Sequence, residues 1–187
     1  AQDDRQPGGD EAALARQPDS RPLSSALAQF LVEEKRYGEA RAIYRRTLAA
    51  DRTQREVQFG IAVLSIQMKD WEAAESDLKE LKAAGFGDAG QVEFYLGQVA
   101  EERGRHDEAI ARYRDVPDGE RGWLAKLRIA TVLGKQGKRE EARRHLADLP
   151  AVTIEQRVQV RQAEAQLFRD ASDSKGALAV LDQALTE

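Results

Sequence analysis

The chain has no cysteine, which excludes disulfides and thiolate metal sites. This says little about compartment, because a helical protein needs no covalent staples anywhere. There are only two histidines, His106 and His145, and neither belongs to a set with metal-ligand spacing. His106 reads as a packing residue at a turn and His145 as an outer-surface residue. Without Cys, and with two isolated His, a nucleophile paired to a base has no support, so the chain is not expected to be an enzyme. The run "GFGDAG" lacks the Lys and the strand context of a phosphate loop and reads as a turn. No cofactor is expected.

No apolar run approaches the roughly 18 residues needed to cross a bilayer. The stretch "AQDDRQPGGDEAALARQPDS" has no basic-then-apolar signal layout either, so direct membrane insertion is not expected. The sequence does not start with Met, and the expectation is a processed chain or an excised piece of a longer one. Charge of one sign is also missing: 29 Lys and Arg alternate with 33 Asp and Glu for a net −4, which leaves no basic footprint for nucleic acid. Clusters such as Arg41, Arg45 and Arg46 are flanked by acids and read as a solvated outer face.

Aromatics make up only 6% and Pro numbers 5, while Ala, Leu, Glu, Arg and Gln dominate, which is the profile of an all-α protein. Five segments then align: "KRYGEARAIYRRTLAAD", "KDWEAAESDLKELKAAG", "GRHDEAIARYRDV", "GKREEARRHLADLP" and "SDSKGALAVLDQAL". Each carries an Ala at the same place, Ala40, Ala74, Ala109, Ala142 and Ala177, at spacings of 34, 35, 33 and 35. Twelve positions before each stands another small residue: Ala28, Ala62, Gly97, Ala130 and Ala165. Small side chains at both places let two antiparallel helices approach, and Tyr44, Leu78, Tyr113, Leu146 and Leu181 fill the space beside them. The unit is a helix-turn-helix repeated five times. Thr53 to Glu56 and Thr153 to Gln156 read as capping boxes that start helices.

This pattern resembles the tetratricopeptide repeat, over residues 21 to 187. The resemblance implies an all-α right-handed superhelix of repeats at 21–54, 55–89, 90–122, 123–157 and 158–187. Residues 1–20 would form a linker and the remnant of a preceding repeat helix, with Ala13, Leu14 and Pro18 at familiar places. A ring at the turn, which the family prefers, is present in Tyr37, Trp71 and His106 but not in Arg139 or Ser174. The implied function is a scaffold that binds a protein or peptide in the groove lined by the first helices.

In this family's register the groove is lined by Phe59, Val63, Ile66 and Gln67, then Gln91, Phe94, Tyr95, Gln98 and Glu102 with Glu101 beside it. Leu127, Arg128 and Thr131 follow, and last Gln159, Gln162 and Gln166. Helical geometry keeps such positions within an arc of about 120°. The three glutamines share a face by spacing alone, independent of that register. Phe59, Phe94 and Leu127 occupy one repeat position and would form an apolar row, with Phe94 the first choice for substitution. Some family members clamp a partner's carboxylate with Lys and Asn, but this chain has no Asn, and Ser25 and Gln29 stand where the clamp begins.

The order "FYLGQVAEERGRHDEAIARYRDVPDGE", "LAKLRIATVLGKQGKREEARRHLADLP", "AEAQLFRDASDSKGALAVLDQAL" is similar to long tetratricopeptide lipoproteins of Gram-negative bacteria. Some of these are adaptors for a carboxyl-terminal processing protease that trims cell-wall hydrolases. That implies a periplasmic scaffold, anchored at the outer membrane in its full-length form; the alternative is a cytoplasmic assembly or regulatory module. Apolar Val180, Leu181 and Leu185 close the last repeat without a polar cap, so self-association there is expected.

Overall fold

The computed structural model describes residues 21–185, which hold ten α-helices and no strand. The expected helix remnant around Ala13 and Leu14 lies outside the described residues. The chain divides into two units, 1–87 and 88–187. The first contains α1 (Arg21–Glu33), α2 (Tyr37–Ala50), α3 (Arg55–Gln67) and α4 (Trp71–Ala83). The second contains α5 (Ala89–Glu102), α6 (His106–Arg114), α7 (Glu120–Lys135), α8 (Arg139–Ala147), α9 (Ile154–Asp170) and α10 (Ser174–Ala184).

Each hairpin closes in the same way. Lys35, Lys69, Gly104, Gly137 and Ser172 take the left-handed conformation, with φ between 58° and 77°. The next amide then donates to a carbonyl five residues back: Arg36 to Leu31 at 2.8 Å, Asp70 to Ser65 at 2.8 Å, Arg105 to Ala100 at 2.8 Å, Lys138 to Leu133 at 2.9 Å and Asp173 to Phe168 at 2.9 Å. This bond ends a helix and satisfies one of its orphan carbonyls. Three of the five left-handed residues are not glycine and carry the steric penalty of that region, about 1 kcal/mol each. Asp70 and Asp173 offset part of it by accepting amide hydrogens at the start of the next helix.

The small pairs sit where the period requires. Ala28 with Ala40 and Ala62 with Ala74 are buried in the first unit. Gly97 with Ala109, Ala130 with Ala142 and Ala165 with Ala177 are buried in the second. In the first unit, Leu27, Leu31 and Leu64 gather around Ala40 to form a core. In the second, Tyr113, Ile129, Val132, Leu133, Leu146 and Leu167 join one cluster.

Three expectations are corrected. Thr153 forms a full capping box with Gln156, but Thr53 does not cap α3. Its amide and hydroxyl both donate to Asp51 Oδ1, at 3.1 and 2.6 Å, because the acid two residues back closes a local turn that takes both hydrogens. His145 is not an outer residue. Its ring is half-buried and Nε2 lies 2.8 Å from the Lys126 carbonyl, so Nε2 holds the proton that this acceptor requires.

The third correction concerns repeat register. Ile66, expected to face a partner, is 4% exposed, and Glu101 is buried as well. Both stand four residues after a small core residue, Ala62 and Gly97, and positions i and i+4 share one helix face. The residue that faces outward is the next one, and Gln67 and Glu102 are exposed.

Candidate functional site

In the second unit the second helices α6 and α8 are short, nine residues each, against 14 and 13 for α2 and α4. Pro117, which has no amide hydrogen, follows closely on the end of α6 and its chain is led back over the starts of α5 and α7. Two glycines accept it: a Cβ on Gly90 would lie 2.7 Å from Pro117 Cδ, and one on Gly122 only 2.2 Å from the Pro117 carbonyl oxygen. No side chain fits at Gly122 without moving the backbone.

This crossing leaves a cleft of about 510 Å³ lined by Phe94, Tyr95, Val116, Pro117 and Leu124, with Asp88, Asp118, Glu120 and Arg121 around it. Phe94 and Tyr95 meet edge to face, with centroids 5.9 Å apart and planes at 89°. Edge-to-face contact brings the positive rim of one ring to the negative face of the other. Phe94 also tilts against Tyr113, with centroids 5.6 Å apart, and packs on the buried cluster. Adjacent rings on a helix point about 100° apart, so one can anchor inward while both still reach one cleft. Leu124, 42% exposed, supplies the facing apolar surface.

Charges frame the apolar walls. Arg121 donates to Asp88 Oδ2 at 2.7 Å, and Lys126 donates to Asp118 Oδ1 at 2.7 Å. The Lys126 hydrogen bond, with its charge, holds the Asp118 carboxyl below the usual carboxylate range. Asp88 also accepts the Gln91 amide hydrogen at 3.0 Å and so caps α5. Glu120 has no ion-pair partner among the described residues.

Further along the same helices lies a buried ionic group. The Glu101 carboxylate accepts from Tyr113 Oη at 2.8 Å and from Lys135 Nζ at 2.8 Å, and Arg128 Nε lies 3.5 Å away. Burial, and then the Glu101 charge, push the Tyr113 phenol far above its ordinary value. Arg128, expected to line the groove, is therefore tied to an internal acid.

The structure brings only part of the expected surface together. Phe94 and Tyr95 share the cleft, while Gln91, Gln98 and Leu127 are half-buried on the same two helices. Thr131 donates to the Leu127 carbonyl at 3.4 Å. Gln159 is occupied by the Trp123 indole, whose N–H donates to Oε1 at 2.5 Å, and Gln166 by Asp170 at 2.5 Å and by Arg169. Gln162 and Glu102 remain exposed. In the first unit, Val63 is half-buried and Phe59 stacks on Phe86, with centroids 5.6 Å apart and planes at 18°. Pro117 and Glu120 were missed as site residues, because their role comes from the path of the α6–α7 connection and not from the repeat period. Among the described residues, no group of three or more His, Cys, Asp or Glu is placed to hold a metal.

The tetratricopeptide repeat family matches residues 11–62 and 31–93 by sequence. No curated protein matches the chain. Among solved structures, the chain is similar to YrrB, described as a tetratricopeptide protein with an unusual peptide-binding site. The TM-score is 0.60 at 15% identity, over 97% of this chain and 93% of that one. It is also similar to a tetratricopeptide repeat protein from Parabacteroides merdae, with a TM-score of 0.73 at 17% identity, over 97% and 72% of the two chains. PilF of Pseudomonas aeruginosa gives 0.64 at 21% identity, over 93% and 79%. With the five hairpins, these likenesses establish the fold as a tetratricopeptide α-solenoid.

Proposed function

We propose that this chain is a non-catalytic scaffold that holds a protein or peptide segment in the cleft of its second unit. The observation that carries this reading is the pairing of Phe94 and Tyr95 with exposed Leu124 in one open cleft. Rigid rings beside a partly exposed aliphatic are the usual anchors of recognition surfaces. Tyr95 is the residue to test, since Phe94 also packs on Tyr113 and its loss would mix binding with folding. Peptides enriched from a phage-displayed random library are expected to bind Tyr95→Ala at least tenfold more weakly, or about 1.4 kcal/mol, with the fold retained. If no peptide is enriched, or if enriched peptides bind the variant equally well, this reading fails.

The finer proposal is a periplasmic adaptor, membrane-anchored in its full-length form, that presents cell-wall hydrolases to a carboxyl-terminal processing protease. Its support is the resemblance carried by residues 94–120, 124–150 and 163–185 in order. Cleavage of a cell-wall hydrolase by such a protease, measured with and without this chain, is expected to accelerate several-fold. Equal rates would remove the proposal and leave the cytoplasmic assembly module. Self-association has its own observation: Ile154 is 72% and Leu185 86% exposed at the last hairpin. Sedimentation at increasing concentration should reveal a dimer that Ile154→Glu abolishes, and a monomer throughout would end that idea.

A further inference from the structure

We infer that the segment held in the cleft is basic: an extended stretch in which Lys or Arg flanks an aromatic or large aliphatic side chain. This rests on reading the cleft as the peptide site, and it adds the chemistry of the partner. Three carboxylates line the cleft, Asp88, Asp118 and Glu120, against one guanidinium, Arg121.

Glu120 is exposed and has no ion-pair partner among the described residues. The other two acids are engaged only on the surface. The Arg121–Asp88 pair is 37% and 53% exposed at its two side chains, and the Lys126–Asp118 pair 35% and 89%. Pairs so exposed add little to folding, because water and salt screen them. An incoming cation can take over Asp88 or Asp118 while the displaced Arg121 or Lys126 returns to solvent.

The walls suit the stem of such a side chain. Lys and Arg lay their methylenes along apolar surface and keep the charge at the rim, and Leu124, Pro117 and the two rings provide that surface. The rings add a second attraction for the cation through their negative faces. The same rim repels an acidic tail or a nucleic-acid phosphate.

The test uses three labelled peptides of one length: a central Phe flanked by Lys, by Gln or by Glu. Each is titrated by fluorescence anisotropy against the wild-type chain, Glu120→Gln, the double variant Asp118→Asn with Glu120→Gln, and Tyr95→Ala. The Lys peptide is expected to bind at least tenfold more tightly than the Glu peptide, with affinity falling as salt rises. The double variant should remove most of that difference without changing the melting temperature. Equal affinity for the three peptides, a preference for Glu, or an unchanged preference in the double variant would overturn the inference. The peptide-site reading would survive any of these if binding were still lost in Tyr95→Ala, and would fall with it if no peptide bound at all.

Discussion

Tyr44 and Tyr113 occupy the same place in their repeats, four residues after the small residue of the second helix, yet they behave differently. In the second unit, Tyr113 is 1% exposed and lies on Gly97 of its own hairpin, with its hydroxyl on buried Glu101. In the first unit, Tyr44 is half-buried and leans on Gly60 of the following hairpin. The position equivalent to Glu101 is Val32 there, which offers a phenol no acceptor. A repeat period thus fixes which residues compete for the space between helices. The polar group four residues beyond the small one decides whether a ring is drawn fully inside. A hydroxyl goes into the core only where an acceptor waits for it.

The sharpest way to break this comparison is to truncate both rings. Tyr113→Ala empties a filled core site and takes one hydrogen bond from the buried Glu101 carboxylate, so it is expected to cost about 4 kcal/mol. Tyr44→Ala removes a ring that water already reaches, at about 1 to 2 kcal/mol. Thermal melts with chemical denaturation would measure both, and equal losses would show that the two rings carry equal weight.

A second substitution gives the second unit the first unit's solution. Glu101→Val leaves the Tyr113 hydroxyl buried without an acceptor, while Lys135 and Arg128 can turn outward because both are partly exposed. The expected loss is about 2 kcal/mol. Adding Tyr113→Phe removes the stranded hydroxyl and should recover about 1 kcal/mol of it, a coupling that a double-mutant cycle reads directly. Additive losses would mean that the hydroxyl and the carboxylate are not energetically linked.

The same contrast shows how far the sequence reaches. The ten small positions, Ala28 to Ala177, were legible because burial at a fixed period leaves a compositional mark that needs no knowledge of neighbours. Ile66 and Glu101 were misplaced because a family register names helix faces coarsely, and a shift of one position turns a side chain by about 100°. An acid at 101 reads as solvated until its three partners, 12 to 34 residues away in sequence, are seen around it. The cleft rings Phe94 and Tyr95 could be picked out as aromatics on a polar helix. Their partner Pro117 could not, since a connection's path depends on where Gly90 and Gly122 let it settle.

The smallest and most diagnostic effect is expected at the two glycines. Replacing a mid-helix Gly by Ala normally stabilises by about 0.5 to 1 kcal/mol, because the unfolded chain loses freedom. At Gly60 the new methyl would lie 3.3 Å from Tyr44 Cε2, and that ring is half-buried with room to swing away. Gly60→Ala should therefore be neutral or stabilising by up to about 0.5 kcal/mol. At Gly97 the methyl would lie 2.7 Å from Tyr113 Cε1, and that ring is held by the Glu101 hydrogen bond and by Phe94. Overpacking against a pinned ring outweighs the backbone gain, so Gly97→Ala should destabilise by about 1 kcal/mol. Opposite signs from one substitution at two glycines beneath equivalent rings would show that Tyr113 is locked and Tyr44 is not; matching signs would show that the acceptor at Glu101 does not fix the ring.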